Sequence, residues 1–235
     1  MRRRAVLPEA ITRRSAAVAT ALAFSAGLAA GTLLSSGRPE SPTVAVPLRR
    51  ADATPAAEAG PARVTNGVPS GFARTEEGAV AAAASFVCTG QALLDLDPLA
   101  AQEAVRSMAA SASADQQVAD TDTQLRQVSD ELAAGQGPIV FRQAAVAYRV
   151  EAFDSERARV AVWNVGVLTR DGVAPPQAGW AISTFDLVWE RSDWRIWGET
   201  VAPGPAPVLN DSTAPATSDQ LVDSLNGFID FGAQS

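Results

Sequence analysis

The chain has 235 residues, 47% hydrophobic and 19% charged, with a formal net charge of −7, no histidine and no lysine. Without imidazole there is no Ser-His-Asp or Cys-His site, and with Cys88 as the single cysteine there is neither an internal disulfide nor an ordinary zinc site. The absence of lysine excludes a P-loop and Schiff-base chemistry.

The charge is divided unevenly. Residues 1–50 carry eight arginines against Glu9 and Glu40, a balance of +6, and residues 51–235 carry eleven arginines against 24 carboxylates, a balance of −13. A strongly acidic second part argues against nucleic-acid partners, which require clustered cations.

Residues 1–14 form a basic segment with five arginines, and residues 15–34 are uncharged. Ala16 to Leu34 would span about 28 Å as a helix, close to the ~30 Å hydrocarbon layer of a bilayer. The arginines place the amino terminus in the cytoplasm and the rest outside, so the expected location is the cell membrane, crossed once. Three readings stay open. An uncleaved signal anchor fits the length of the apolar run. A cleaved signal fits the small residues at Gly27-Leu28-Ala29-Ala30. Thr12-Arg13-Arg14 opens like a twin-arginine export signal, although Ala16 and Ala17 stand where bulky residues are expected.

Residues 35–66, rich in Pro, Ala, Ser and Thr without hydrophobic periodicity, read as a disordered tether. Residues 67–202 hold the sustained patterning of one exported α+β domain. Thr75 can cap a helix through about Leu94, with Val80, Ala84, Val87, Cys88 and Leu94 buried. Asp97-Pro98 opens a second, to about Met108. A third pattern covers Asp115 to Leu132. From Ile139 the period switches to two. Ile139–Phe153, Ala158–Thr169, Trp180–Glu190 and Trp194–Val201 read as strands, with a hairpin at Ser192-Asp193 and an open loop at Asp171–Gly179, where Pro175-Pro176 sits. Residues 203–216 read as a Pro-rich linker. Residues 217–231 read as an amphipathic helix with a Thr217/Gln220 capping box and an apolar face of Leu221, Val222, Leu225, Phe228 and Ile229. The expected architecture is an N-terminal membrane helix and a cone-shaped domain of three helices on a four-stranded antiparallel curved sheet.

The run from Gly67 to Ala83 (GVPSGFARTEEGAVAAA) resembles the opening of an uncharacterised actinobacterial family of membrane-anchored proteins. Trp180 to Trp194, with its Trp-Glu-Arg-Ser-Asp-Trp-Arg turn, is similar to the end of that family's domain. The element order resembles the nuclear transport factor 2-like (cystatin-like) fold. Membrane helix, tether and cone together resemble the assembly factors of type IV secretion and conjugation systems. The resemblance supplies no catalytic residues.

Few groups remain for chemistry. Asp120, Asp122, Gln124 and Glu131 echo a calcium loop, but Leu125 stands where that loop turns on glycine, and the segment is helical in pattern. Tyr148, Glu151 and Asp186 lie on strands, where one could face inward as in cone-fold enzymes that use a carboxylate and a tyrosine. A solvated carboxylate and a packed tyrosine are the simpler account. The five tryptophans, Trp163, Trp180, Trp189, Trp194 and Trp197, fall in the last three strands as core or cross-strand packing, with one or two available to a partner surface. No residue is assigned a catalytic, cofactor-binding or metal-binding role, and no cofactor is expected. The expected function is a non-catalytic envelope protein, anchored through Ala16–Leu34, whose exported domain docks other proteins or self-associates, with a conjugation or secretion apparatus as one setting. The alternative is an exported small-molecule-binding or isomerase-like enzyme using the cone cavity.

Overall fold

The computed structural model describes residues 49–50, 59–207 and 216–231. The basic segment, the apolar run and most of the tether lie outside the described residues. Strand β1 (Arg49–Arg50) comes first, then the hairpin of β2 (Arg63–Thr65) and β3 (Val68–Ser70). Helix α1 (Glu76–Gly90) continues as a 3₁₀ turn at Gln91–Leu94, followed by α2 (Pro98–Met108) and α3 (Ala114–Glu131). Four long strands follow: β4 (Gln136–Phe153), β5 (Arg157–Asp171), β6 (Ala174–Glu190) and β7 (Asp193–Pro203). A short helix α4 (Ser218–Ser224) and β8 (Ile229–Asp230) end the described chain.

The main sheet has the order β1-β8-β4-β5-β6-β7, antiparallel except for the β1–β8 pair, and β2–β3 form a separate sheet. This corrects the expectation of three helices on a four-stranded sheet. The described residues contain four α-helices, two further strands beyond β4 and an additional hairpin. Each difference has a local cause. Residues 63–65 were assigned to the tether, but Asn66 and Gly67 both have positive φ (52° and 76°), the turn that closes a two-residue hairpin. The helix expected over 217–231 stops at Ser224, and Asn226-Gly227 turns the chain into β8. The loop expected at Asp171–Gly179 is mostly strand. Pro175 and Pro176 fall where the β5–β6 register shifts between Leu168 and Arg170, so their missing N–H groups interrupt no ladder bond.

Helix caps follow the sequence. The Thr75 hydroxyl accepts from Gly78 N (3.1 Å), and Asp97 Oδ1 accepts from Leu99 N and Ala100 N (3.0 Å each). Glu76–Leu94 is the one helix among the described residues long and apolar enough to cross a membrane. Half of it is buried within the domain, where Ala79, Val80, Ala83, Phe86 and Val87 build the main core.

That core lies between the helices and one face of the sheet, which presents Val160, Val162, Phe185, Leu187, Trp194 and Ile196. Toward the other end of the same face, Phe141 and Leu168 pack on Val128 and Leu132 at the end of α3. The opposite, outer face is apolar at Ala147, Ala161 and Trp163, and Leu221, Leu225 and Phe228 of the C-terminal segment cover it. Trp163 and Trp180 stack beneath this strap with ring centroids 4.7 Å apart. Full burial of each of the three strap side chains contributes about 1.5–3 kcal/mol.

Asp193 joins the front of the domain to its back. Its side chain is 1% exposed and accepts from Gly71 N (2.8 Å), Phe72 N (3.0 Å) and Trp194 N (3.1 Å). Arg195 and Arg63 flank it at 3.6 and 3.8 Å. Beside it, Trp194 Nε1 donates to Ala73 O (2.8 Å).

Two stability outcomes follow from this packing. Asp193→Asn removes the charge opposite half-buried Arg195 and places an amide where three N–H groups converge, so equilibrium unfolding should show a loss of about 3–5 kcal/mol. A loss under about 1 kcal/mol would mean that the junction is not structural. In the strap, Phe228→Ala should cost about 3–5 kcal/mol, and Val222→Ala, on the exposed side of α4, should stay within about 0.5 kcal/mol. Equal effects of the two would overturn the packing of the strap on its own sheet.

Candidate functional sites

The residues singled out in the sequence do not assemble into a site. Glu151 and Asp186 lie on the outer face, joined through Arg159. Arg159 Nε is 3.0 Å from Glu151 Oε2, and Arg159 Nη1 is 3.0 Å from Asp186 Oδ1. Arg149 extends the chain of charges, 2.6 Å from Glu151 and with its guanidinium 4.8 Å from the centre of the Phe228 ring. Hydrogen bonds from Arg149, then from Arg159, outweigh desolvation and hold the Glu151 carboxyl below its ordinary range. Tyr148 faces the helices instead, pairing with Val162 across β5 and packing on Phe231 at 4.9 Å. Burial, then the charges of Glu76 and Glu77, push its hydroxyl pKa up. The tyrosine and the two carboxylates therefore stand on opposite faces. Asp120 and Asp122 lie within α3, where Asp120 accepts from Gln116 (2.7 Å) and Asp122 pairs with Arg126 (2.7 Å).

A different set of polar groups converges inside. Gln143, Asn164, Ser183 and Glu199, one from each long strand, are 8, 0, 0 and 2% exposed. All face the helices. Gln143 lies two residues from Phe141, Asn164 two from Val162, and Ser183 two from Phe185, and Glu199 stands directly opposite Phe185 in register. Asn164 Nδ2 donates to Ser183 Oγ (3.1 Å), and above them Gln117 Nε2 donates to Ile196 O (2.8 Å). Asn164 Oδ1, Gln117 Oε1 and Thr121 Oγ1 are buried without a hydrogen-bond partner among the described residues.

Simple alternation misses Glu199. Counted from Trp194 and Ile196, the inward positions are 198 and 200. The register instead skips Trp197, since Leu187 pairs with Ile196 and Asp186 with Gly198. That one-residue bulge inverts the parity of β7 beyond Trp197, which stays outward, and turns Glu199 inward. Gln143, Asn164 and Ser183 keep the parity of their apolar neighbours. Alternation alone therefore places these three on the core side.

Three clefts mark the surface. A cleft of about 210 Å³ separates α2 from α3, lined by Leu93, Val105, Val118, Thr121 and Leu125 among others. A shallower one of about 450 Å³ lies at the open end of the sheet, bounded by Phe153, Arg159, Asp186, Val188 and Trp197. A third, of about 470 Å³, is polar and contains Arg106, Ser111, Glu190, Arg191 and Arg195. There Glu190 accepts from the Ser111 hydroxyl and from Ser111 N (2.9 Å), tying the α2–α3 connection to the β6–β7 hairpin.

Residues 12–220 match the family described as domain of unknown function DUF8175. The chain belongs to this family. No curated protein matches the chain at a significant level. Among solved structures, the crystal structure of the intermembrane space region of chloroplast protein ARC6 is similar at 13% identity and a TM-score of 0.36. That alignment covers 56% of this chain and 97% of that one, and a likeness at this level bears on neither fold nor function.

The Glu190 contact of this DUF8175 domain has a pH signature. The Ser111 hydroxyl first, and the Ser111 amide second, lower the Glu190 carboxyl below its ordinary value of 4.5. A lowered folded-state pKa contributes stability that is present above the unfolded value and lost as pH falls through the folded value. Glu190→Gln should therefore unfold more easily than the parent near neutral pH, and the difference should shrink as pH falls below 4.5. A difference that stays constant with pH would overturn the assignment.

Proposed function

We propose that this protein is a non-catalytic envelope component, held in the cell membrane by Ala16–Leu34 with its amino terminus in the cytoplasm, whose exported domain docks another protein. The observation that carries the reading is Trp197. This side chain keeps the outward parity set by Trp194 and Ile196 and lies on the outer face at the bulge in β7, where it is 41% exposed beside the shallow cleft. The strap covers the outer face around Trp163 but does not reach this end, so Trp197 and Val188 stand beside a fixed lattice of Glu151, Arg159 and Asp186. An exposed tryptophan next to ordered arginine has the composition of a binding hot spot. A conjugation or secretion apparatus is the setting suggested by the sequence resemblance. A second reading, an exported small-molecule-binding or isomerase-like enzyme, draws on the inward carboxylate of Glu199 beside Asn164 and Ser183. It is the weaker one, because Tyr148 and the carboxylates of Glu151 and Asp186 stand on opposite faces of the sheet and form no joint site.

Photo-crosslinking in living cells tests the docking reading. A benzophenone side chain placed at position 197 should give one discrete adduct, and the same group at Gln127, on the exposed side of α3, should give none. Once that partner is identified, Trp197→Ala should weaken its binding at least about tenfold. Absence of an adduct at 197, or equal adducts at both positions, would overturn the reading. Amino-terminal sequencing of the mature protein tests the anchor independently. Recovery of the cytoplasmic end is expected, and a start near Ala30 or Gly31 would mean a cleaved signal.

A further inference from the structure

The cleft between α2 and α3 is distinct from the docking surface and has its own chemistry. Its walls are apolar: Leu93, Ala101 and Val105 on one side, Val118 and Leu125 on the other. Thr121 also lines it, 2% exposed, with its hydroxyl lacking any partner among the described residues. This is unusual for a helical threonine, which normally folds its hydroxyl back onto the carbonyl one turn earlier. Thr89 and Thr123 do so here, donating to Ser85 O (2.8 Å) and Ala119 O (2.9 Å). A hydroxyl buried without a partner costs about 1–3 kcal/mol. A ligand group that meets it recovers that cost.

The mouth restricts the charge of such a ligand. Arg126 is engaged by Asp122 at 2.7 Å, and Asp130 stands beside them, leaving a net negative rim on an already acidic domain. Carboxylate and phosphate ligands are disfavoured there. The volume sets the size: a cavity of roughly 150 Å³ takes benzene, and this cleft is about 210 Å³.

We propose that the α2–α3 cleft is a binding site for a small uncharged amphiphile, of roughly six to ten non-hydrogen atoms, whose single hydroxyl or comparable polar group pairs with Thr121. The apolar body fills the space between Val105 and Leu125, and the polar group lies against the middle of α3. The site makes no use of Trp197 or Glu199, so it stands or falls separately from the docking reading.

The test uses the methyl-labelled full chain in lipid nanodiscs, titrated with p-cresol and with toluene, and follows the Val118 and Leu125 methyl signals. Saturable shifts are expected with both, p-cresol binding more tightly. Thr121→Val, which keeps the shape and removes the hydroxyl, should weaken p-cresol about three- to tenfold, the worth of one net hydrogen bond, and leave toluene unchanged. Ser129→Trp, at an exposed position on the rim, should block both compounds while the Val162 signals in the main core stay in place. Equal binding of the two compounds to the parent protein would overturn the assignment. So would binding that survives Ser129→Trp, or shifts that never saturate, which would leave the cleft to a protein segment.

Discussion

The carboxylate of Asp193 is the interaction on which the rest of this domain depends. A buried charge survives only where its lone pairs are met, and here three backbone N–H groups and two guanidinium groups meet them. Two of those N–H groups belong to Gly71 and Phe72, ahead of α1, and the carboxylate itself begins β7. The bond therefore closes a loop of about half the chain and fixes where α1 enters the core. Further contacts reinforce the same junction. Trp194 reaches Ala73 O, Arg74 lies 5.5 Å from the Trp189 ring centre and also pairs with Glu156. Close packing then dictates the first turn of α1: a Cβ on Gly78 would stand 2.0 Å from Ala73 O, so only glycine fits. The two segments that carry the family resemblance in sequence, Gly67–Ala83 and Trp180–Trp194, are in this way one structural unit.

A second constraint is the length of the strands. Strands of 11 to 18 residues are longer than three helices can cover on one side, and β5 is apolar on both faces in its middle. Val160 and Val162 need the helices, and Ala161 and Trp163 need something else. The C-terminal segment meets that need. It leaves β7, with Ala206 buried, crosses the outer face as α4, and extends the far side of the sheet as β8, where Phe231 packs with Tyr148 on the helix side. Among the described residues, the strap covers only one end of that face. The exposed shelf at Trp197 is thus a consequence of how far this segment reaches.

Much of this was legible in the chain, and the failures share a cause. Helix caps at Thr75 and Asp97 and the capping box at Thr217 are local chemistry, readable from three or four residues, and each occurs as read. The alternating runs located the four long strands, three of them to within three residues, because half-buried strands impose a period of two; β6 begins six residues before the expected Trp180. The early hairpin escaped notice because the composition around residues 35–66 outweighed the Asn66-Gly67 signal. Strand β8 is two residues long and carries no periodicity; tertiary pairing with β4 and β1 creates it. Among candidate site residues, Glu151 and Asp186 stand out by charge, and Arg149, two residues before Glu151 on the same strand, is readable from spacing, but the Arg159 bridge between them comes from β5 and only register reveals it.

The bulge at Trp197 shows why register matters more than composition for function here. Without the extra residue, β7 would continue the parity of Trp194 and Ile196, Trp197 would still face outward, but Glu199 would face solvent with it. With the extra residue, Gly198 stands opposite Asp186 and Glu199 opposite Phe185. One insertion therefore places two residues that alternation would put on one face, Trp197 and Glu199, on opposite faces: an aromatic outside and a carboxylate inside, opposite Phe185. Bulges also increase the local twist of an edge strand, and β7 is the terminal strand of the sheet. The added twist bends this end of the sheet, which discourages continuous edge-to-edge pairing with another copy. Under the proposed docking reading, a partner at this end would be met by side chains, with Trp197 foremost, rather than by strand addition.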